Sequence, residues 1–302
     1  MRKTVSVSII IPNWNGKSLL EKNLRAVLSV CGGAEILVVD DGSTDGSVSF
    51  LKSKFPAIRV VAKKSHEGFA SSVNKGVEAS RGDIVVLLNT DVVPEKGFIE
   101  PLLHYFQNGA VFAVGCMDKS KEGDSVVLRG RGIAAWQNGF FVHERGEVDA
   151  ADTAWVSGGS GAFRKSIWDT LGGMDALYDP FYWEDIDLSY RARKAGYLLK
   201  FEPKSIVWHF HDDGKIKQSF SASQVKTVAY RNQFIFIWKN ISDIGFLFSH
   251  ALWTPVRILR SLLNGDVWMI AGYLAALIRL PKIIQSRIQS SSYWKLRDRE
   301  LL

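Results

Sequence analysis

Four short stretches carry side chains able to do chemistry. Asp40-Asp41-Gly42-Ser43-Thr44-Asp45-Gly46 follows an apolar run. Its paired carboxylates can accept hydrogen bonds from a base N–H or a ribose hydroxyl, with Gly42 letting backbone come close. The same residues would also serve as a strand-to-helix turn capped by Ser43 or Asp45. Asn89-Thr90-Asp91 directly follows Val85-Val86-Leu87-Leu88. Asp91 is a hard oxygen ligand suited to Mg2+ or Mn2+, which would complete its shell with phosphate oxygens; the alternative is an Asx-type turn. Tyr182-Trp183-Glu184-Asp185-Ile186-Asp187-Leu188 places three carboxylates within four residues. They repel one another unless solvated, capped or paired; a helix N-terminus offsets part of that, and Asp187 can pair with Arg191 at i+4. A carboxylate at a buried edge here can act as a general base, with Tyr182 and Trp183 as an apolar wall; otherwise the run is a capped helix start. In His209-Phe210-His211, strand alternation puts both imidazoles on one face, where one could complete a metal site with Asp91. No third soft ligand lies near enough in sequence for a zinc site, and two structural histidines are the alternative.

These groups need a scaffold, and the first half of the chain supplies one. Strand-like runs at Val5–Ile11, Glu35–Val39, Ile58–Ala62 and Ile84–Leu88 alternate with helical patterns at 17–30, 45–55 and 68–79. Continuous apolar strands separated by helices predict an α/β fold, a mostly parallel sheet flanked by helices. The polar clusters then fall at the carboxyl ends of strands, where open sheets of this kind place ligands. Further on, helices are expected at 98–106, 165–172 and Asp185–Ala195, the last ended by Gly196. Strand-like runs occupy 110–155, with loops around Lys119–Asp124 and His143–Asp152. A last strand is expected at 206–211, and helix from about Ser221. The glycine run 157–162 either brings backbone close to a ligand or makes a tight turn.

The composition excludes several classes. The chain has 302 residues, 46% hydrophobic and 23% charged, enough apolar content for a sizeable core. Two cysteines, Cys31 and Cys116, build neither a disulfide scaffold nor a four-cysteine zinc site. There is no Gly-x-Gly-x-x-Gly run and no Walker A lysine loop. The opening MRKTVSVSIIIPNWN does not read as a secretory signal, because Pro12 and Asn13 interrupt its apolar run. Net charge is +7, and residues 257–302 hold eight basic against three acidic side chains, so most of the excess sits at one end. A nucleic-acid enzyme would more often carry its charge around its cleft, so no nucleic-acid partner is expected.

The motifs in their order resemble family 2 glycosyltransferases, nucleotide-sugar-dependent enzymes of the GT-A fold. The resemblance runs through VSIIIPNWNG (7–16), VVDDGSTDGS (38–47), EGFASSVNKG (67–76), VVLLNTDVVPE (85–95), the stretch 156–197 and IVWHFH (206–211). It is nearest to the rhamnosyltransferase-like branch, through NTD in place of DxD and the WEDIDLSYR run. It implies an inverting transfer from a UDP- or dTDP-sugar to a hydroxyl of a glycan or lipid-linked acceptor. Pro12, Asn13, Asn15, Asp40, Asp41, Gly68, Asn89, Asp91 and Gly159 would hold the donor. Asp91 and His209 would hold Mg2+ or Mn2+. Asp185 would be the base, with Glu184 and Asp187 positioning the loop and acceptor. Two departures matter: Asn89 stands where the first carboxylate of DxD is usual, and Ser65-His66-Glu67 where relatives often have an asparagine. A nucleotide-sugar-binding module without catalysis is the alternative function.

The resemblance leaves the C-terminal end to be explained. A catalytic domain is expected over residues 1–235 and a basic, apolar helical extension over 236–302. Two uncharged stretches, 244–256 and 267–278, carry Trp253, Trp268 and Tyr273 and fall short of the ~20 residues a simple spanning helix needs. With the basic residues beside them they suit helices lying at an anionic membrane surface; packing on the core, or a dimer contact, is the alternative. The expected location is cytoplasmic, peripheral on the inner face of the cell membrane.

Overall fold

The computed structural model describes residues 5–210 and 219–302. Its first half alternates strand and helix: β1 (Val7–Asn13), α1 (Lys17–Val30), β2 (Glu35–Asp40), α2 (Ser47–Lys54), β3 (Arg59–Ala62), α3 (Phe69–Ala79) and β4 (Ile84–Leu88). The middles of β1, β2 and β4 are continuously apolar because helices cover both faces of the sheet. Alternation sorts their side chains. Ile9, Ile11, Ile84, Val86 and Leu88 pack with Leu20, Leu24 and Val27 of α1 on one face. Ile10, Val85 and Leu87 pack with Val73 and Val77 of α3 on the other.

The pairings β3-β2, β2-β1 and β1-β4 are parallel, as the alternating pattern predicts. Beyond β4 the sheet turns mixed. Next come β5 (Val92–Pro94), α4 (Ile99–Tyr105), β6 (Val111–Glu122), β7 (Ser125–Arg129) and the hairpin β8 (Gly132–Gln137) and β9 (Phe140–Arg145). They are followed by β10 (Ser160–Arg164), α5 (Lys165–Leu171), α6 (Glu184–Lys194) and β11 (Leu198–His209). β10 runs antiparallel to both β4 and β6, and the described order is β3-β2-β1-β4-β10-β6-β11-β5, with β7 on β6. The loop expected around Lys119–Asp124 is instead mostly strand, a β6–β7 hairpin that pairs Asp118 with Arg129 and Glu122 with Ser125. The last strand is longer than 206–211 at its start and is described to His209; His211 lies outside the described residues.

Four helices follow: α7 (Ala222–Asn240), α8 (Ile244–Leu263), α9 (Trp268–Ile278) and α10 (Leu280–Ser291). Ser221 and Gln224 form a reciprocal capping box at the start of α7. α7 continues unbroken through residue 235, so the expected domain boundary falls inside a helix. Its Phe234, Ile235, Phe236 and Ile237 are fully buried in a cluster with Phe141, Tyr178, Trp183, Tyr190, Met269 and Ile283. That cluster joins the hairpin, α6 and the C-terminal helices into one core. The chain end is tied in as well. Lys194 and Asp298 form a fully buried ion pair at 2.9 Å, and the Tyr190 hydroxyl donates to Asp298 at 2.6 Å. No described helix is long and apolar enough to cross a membrane.

Candidate active site

The parallel register sets the carboxyl ends of β1, β2 and β4 side by side, with Asn13 opposite Asp40. A cavity of about 270 Å³ opens there. Pro12, Asn13, Asp41, Gly68, Asn89, Gly158, Gly159, Glu184 and Asp185 all line it. Trp14, Phe181, Tyr182 and Phe220 supply aromatic walls. A larger groove of about 1380 Å³ lies between α10 and residues 169–179. It holds none of the strand-end carboxylates, and its Arg191 and Lys239 are paired with Asp187, so the smaller cavity is the candidate site.

At the β2 end the acidic pair acts first on the protein's own chain. Asp40 accepts from the Asn13 side-chain amide at 2.8 Å and from the Ser43 N–H at 2.9 Å. Asp41 accepts from the Glu67 and Gly68 N–H groups, and from Lys63 and His66 at 2.7 Å each. Burial pushes the Asp41 carboxyl up, but Lys63 and the two backbone donors outweigh it and hold it below the usual carboxylate range. Asp41 therefore orders the loop from Lys63 to Gly68, and touching a base directly would require it to exchange a partner. In that loop His66 stacks on Trp14 with ring centroids 4.0 Å apart. Gly68 has φ +108°, and a Cβ there would run into the Asp179 side chain, so only glycine fits. Asn15, itself left-handed at φ 48°, accepts from Thr44 N–H and ties the β1–α1 turn to the β2–α2 turn. Asn13 Oδ1 is buried with no hydrogen-bond partner and lies against Gly16, where a Cβ would run into it.

The three clustered carboxylates separate. Successive helical residues are ~100° apart, which turns Asp187 well away from Asp185. Glu184 and Asp185 line the cavity; Asp187 lies behind it, fully buried. Asp187 accepts from Tyr178 hydroxyl, Arg191, Lys239 and Asn240. Burial alone would raise its pKa, but Arg191 and Lys239 hold it far below the ordinary range. Of the two parts expected of Asp187, positioning the loop and the acceptor, its contacts fit the first, through the Tyr178 hydroxyl; for the second, it is turned from the cavity toward α7. Asp185 accepts from Gly158 N–H at 3.2 Å and from its neighbour Ile186 N–H at 2.8 Å. Burial raises its pKa despite those bonds. Glu184 is pushed up further, by burial and then by the charge of Asp185, and its Oε2 has no partner. Gly159 accepts the Asn89 N–H, and a Cβ on it would meet the Asn89 side-chain amide at 2.6 Å, so the glycine run is a close approach of backbone to the β4 end.

The antiparallel pairing of β11 with β5 sets His209 opposite Val92 and so beside Asp91. His209 Nε2 lies 3.4 Å from Asp91 Oδ1, while Nδ1 is held by Asp118 at 2.8 Å. Burial would lower the His209 pKa, but Asp118 and Asp91 raise it to about 9. A carboxylate fixing one imidazole nitrogen while the other faces a second carboxylate is the usual support of a metal-binding histidine, so the pair fits a divalent ion. Among the described residues no group of three or more such ligands forms, so a bound substrate would have to supply the remaining donors. Neither residue lines the cavity itself. Asp118, Lys63 and Lys239 have no motif that singles them out; they meet His209, Asp41 and Asp187 through strand pairing and helix packing.

The geometry matches known proteins. Residues 8–172 match the family description "Glycosyl transferase family 2". A probable glycosyltransferase, YdaM, of Bacillus subtilis (strain 168) is 28% identical over 229 residues, 69% of this chain and 51% of its own length. The N-acetylglucosaminyl-diphospho-decaprenol L-rhamnosyltransferase of Mycobacterium tuberculosis is 27% identical over 223 residues, 64% of this chain and 72% of its own. The chain thus spans about half the length of the first of these relatives. The solved structure of GalNAc-T7 with UDP, GalNAc and Mn2+ has a TM-score of 0.64 at 17% identity, covering 81% of this chain and 49% of that one, a likeness of fold. With a family match over more than half its residues and the GT-A arrangement of its sheet, this chain belongs to glycosyl transferase family 2.

Proposed function

We propose that the protein transfers a sugar, with inversion, from a UDP- or dTDP-sugar to a hydroxyl group of a glycan or lipid-linked acceptor. The observation that carries this is that Asp41 with its loop and Asp185 line one and the same cavity. The loop from Lys63 to Gly68 and the Trp14–His66 stack offer an aromatic face and backbone polar groups for a nucleoside. Asp185 receives the acceptor proton as that oxygen bonds to the anomeric carbon; the electron pair of the breaking bond leaves with the diphosphate. The raised pKa of Asp185 brings it nearer the range useful for a base. Asp91 and His209 would hold Mg2+ or Mn2+, which when bound would offset charge on the diphosphate. The rhamnosyltransferase relative and the WEDIDLSYR run favour a rhamnosyl or other hexosyl donor.

A panel of UDP- and dTDP-sugars with Mn2+ or Mg2+ and varied acceptors tests the reading by nucleoside diphosphate release. Release dependent on acceptor is expected. The second reading, a binding module without catalysis, is favoured by Asn89 in place of a carboxylate and by the filled coordination of Asp41. Binding of UDP or dTDP with no release from any donor would select it.

The same reading places the enzyme at the inner face of the cell membrane, part of cell-envelope polysaccharide assembly. Fifteen of the twenty-one exposed large apolar side chains among the described residues lie between 244 and 288. Along α8, Ile244, Phe248, Leu252, Val256, Leu259 and Leu263 form an outward stripe at helical spacing, with Arg260 beside it. A basic helix with an apolar face suits the plane of an anionic leaflet. Flotation of the full chain with anionic vesicles is expected, stronger at low salt; no flotation at any salt would remove this part.

A further inference from the structure

The loop that delivers Glu184 and Asp185 has little secondary structure of its own. A short 3-10 turn at Ala176–Tyr178 is followed by a bend in which Tyr182 and Trp183 are both left-handed, at φ 70° and 78°. Non-glycine residues rarely hold that conformation unless their surroundings impose it. What imposes it here comes from α7. Asn232 is fully buried, and its side-chain NH2 donates to the carbonyls of Tyr178 (2.9 Å), Phe181 (3.0 Å) and Tyr182 (2.8 Å). Arg231 Nη2 donates to the carbonyls of Tyr178 (3.1 Å) and Asp179 (2.7 Å), and its Nε fixes the Asn232 oxygen at 2.8 Å. Four loop carbonyls are thus gathered onto two adjacent helical side chains. One turn pair further along, Lys239 and Asn240 pin Asp187, three residues inside α6.

We propose that Asn232, oriented by Arg231, is a positioning residue that holds residues 178–183 in the bend which aims Asp185 into the cavity. This rests on the reading of Asp185 as the base. Asn232 is not among the cavity-lining residues, and its amide is spent on the loop. Its effect must pass through the loop. The geometry of a base within a site tolerates little error, since a displacement of ~1 Å costs about 10²-fold in rate. The Asp41 part of the cavity is built by β1, β2 and the loop from Lys63 to Gly68, and it meets the 178–183 segment where the Phe69 N–H donates to the Pro180 carbonyl and the Asp179 carboxylate receives the Ala70 N–H and Ser71 hydroxyl. Loss of Asn232 should therefore lower kcat more than it weakens nucleotide binding, since Arg231 still holds the Asp179 carbonyl.

The test uses the full chain carrying Asn232→Ala, with Arg231→Met as the second variant if the first does not fold. Amide hydrogen exchange over residues 178–186 reports the loop without any ligand. Calorimetry with UDP and with dTDP reports the donor end. Nucleoside diphosphate release from UDP- and dTDP-sugars reports turnover. The expected result is faster exchange over 178–186, kcat lower by about 10–100-fold, and a nucleotide Kd that changes by less than kcat does. Wild-type exchange in the loop, or kcat within twofold of wild type, overturns the proposal. Asp185→Asn is run in parallel. If it retains activity, the base assignment fails, while the exchange measurement still decides whether Asn232 holds the loop.

Discussion

α1 and α8 are both amphipathic, yet their apolar faces meet different fates. In α1, Leu19, Leu20, Leu24 and Val27 are all at most 5% exposed, covered by the sheet. In α8 only His250 is buried; Ile244 is 83% exposed, Phe248 65% and Leu263 77%. The inner side of the C-terminal region nevertheless packs on the rest of the fold. His250 accepts the Trp238 indole N–H and contacts Gly139 O, and α9 and α10 press on α7. The extension is therefore two-sided: its inner face packs on the core, and its outer face is exposed. The proposed membrane contact concerns the outer face alone. Removing everything after Asn240 would strip Asp298 from buried Lys194, so substitutions on the outer face test the membrane reading more cleanly than truncation.

The comparison can be broken at several points. The largest effect is expected in the catalytic half. Asp185→Asn keeps the shape and removes the proposed base, so turnover should fall about 10²–10⁴-fold while UDP affinity stays near wild type. Undiminished turnover would hand the role to the unpartnered Glu184. On the inner side of the extension, Asp298→Ala leaves the Lys194 ammonium buried and unpaired, which should destabilise the fold by about 3–5 kcal/mol. A denaturation midpoint unchanged from wild type would show that the tail is not part of the core.

On the outer side, Phe248→Glu combined with Leu259→Glu should abolish vesicle flotation. Both positions are more than half exposed, so stability should move by no more than about 0.5 kcal/mol each. Flotation that persists would leave the stripe without a part in docking.

Two smaller effects sharpen the site. Asp91→Ala should remove part of the Mn2+ enhancement of UDP binding seen by calorimetry, the remainder resting on His209. Equal enhancement in both proteins would exclude Asp91 as a ligand. The pH profile follows from the raised pKa of Asp185. The base works only when deprotonated, so kcat should decline on acidification, beginning above the range of an ordinary aspartate near pH 3.9. A rate that holds constant down to about pH 4 would contradict a buried base.

Much of this was legible in the residues. Apolar runs closed by Asp40-Asp41, Asn89-Thr90-Asp91 and Glu184-Asp185 are local signals, and local signals fix strands, helices and the polar groups at their ends. The pairing of Asp187 with Arg191 followed from helical spacing alone. What needed the tertiary structure depends on contacts distant in the chain. Asp118 lies 91 residues from the histidine it orients, and Asn232 lies 50 to 54 from the carbonyls it gathers. No short-range pattern marks such pairs, because strand order and helix docking bring them together.

The sequence by itself determined the α/β alternation, the strand-end placement of the site and the apolar, basic character of the C-terminal helices. Only the tertiary structure decided that Glu184 and Asp185 face the cavity while Asp187 turns toward α7. It also decided that Asp41 is filled by Lys63, His66 and two backbone donors, and that one face of α8 is left bare. Periodicity says that a helix has an apolar side; which side finds a partner depends on the packing of elements far apart in the chain.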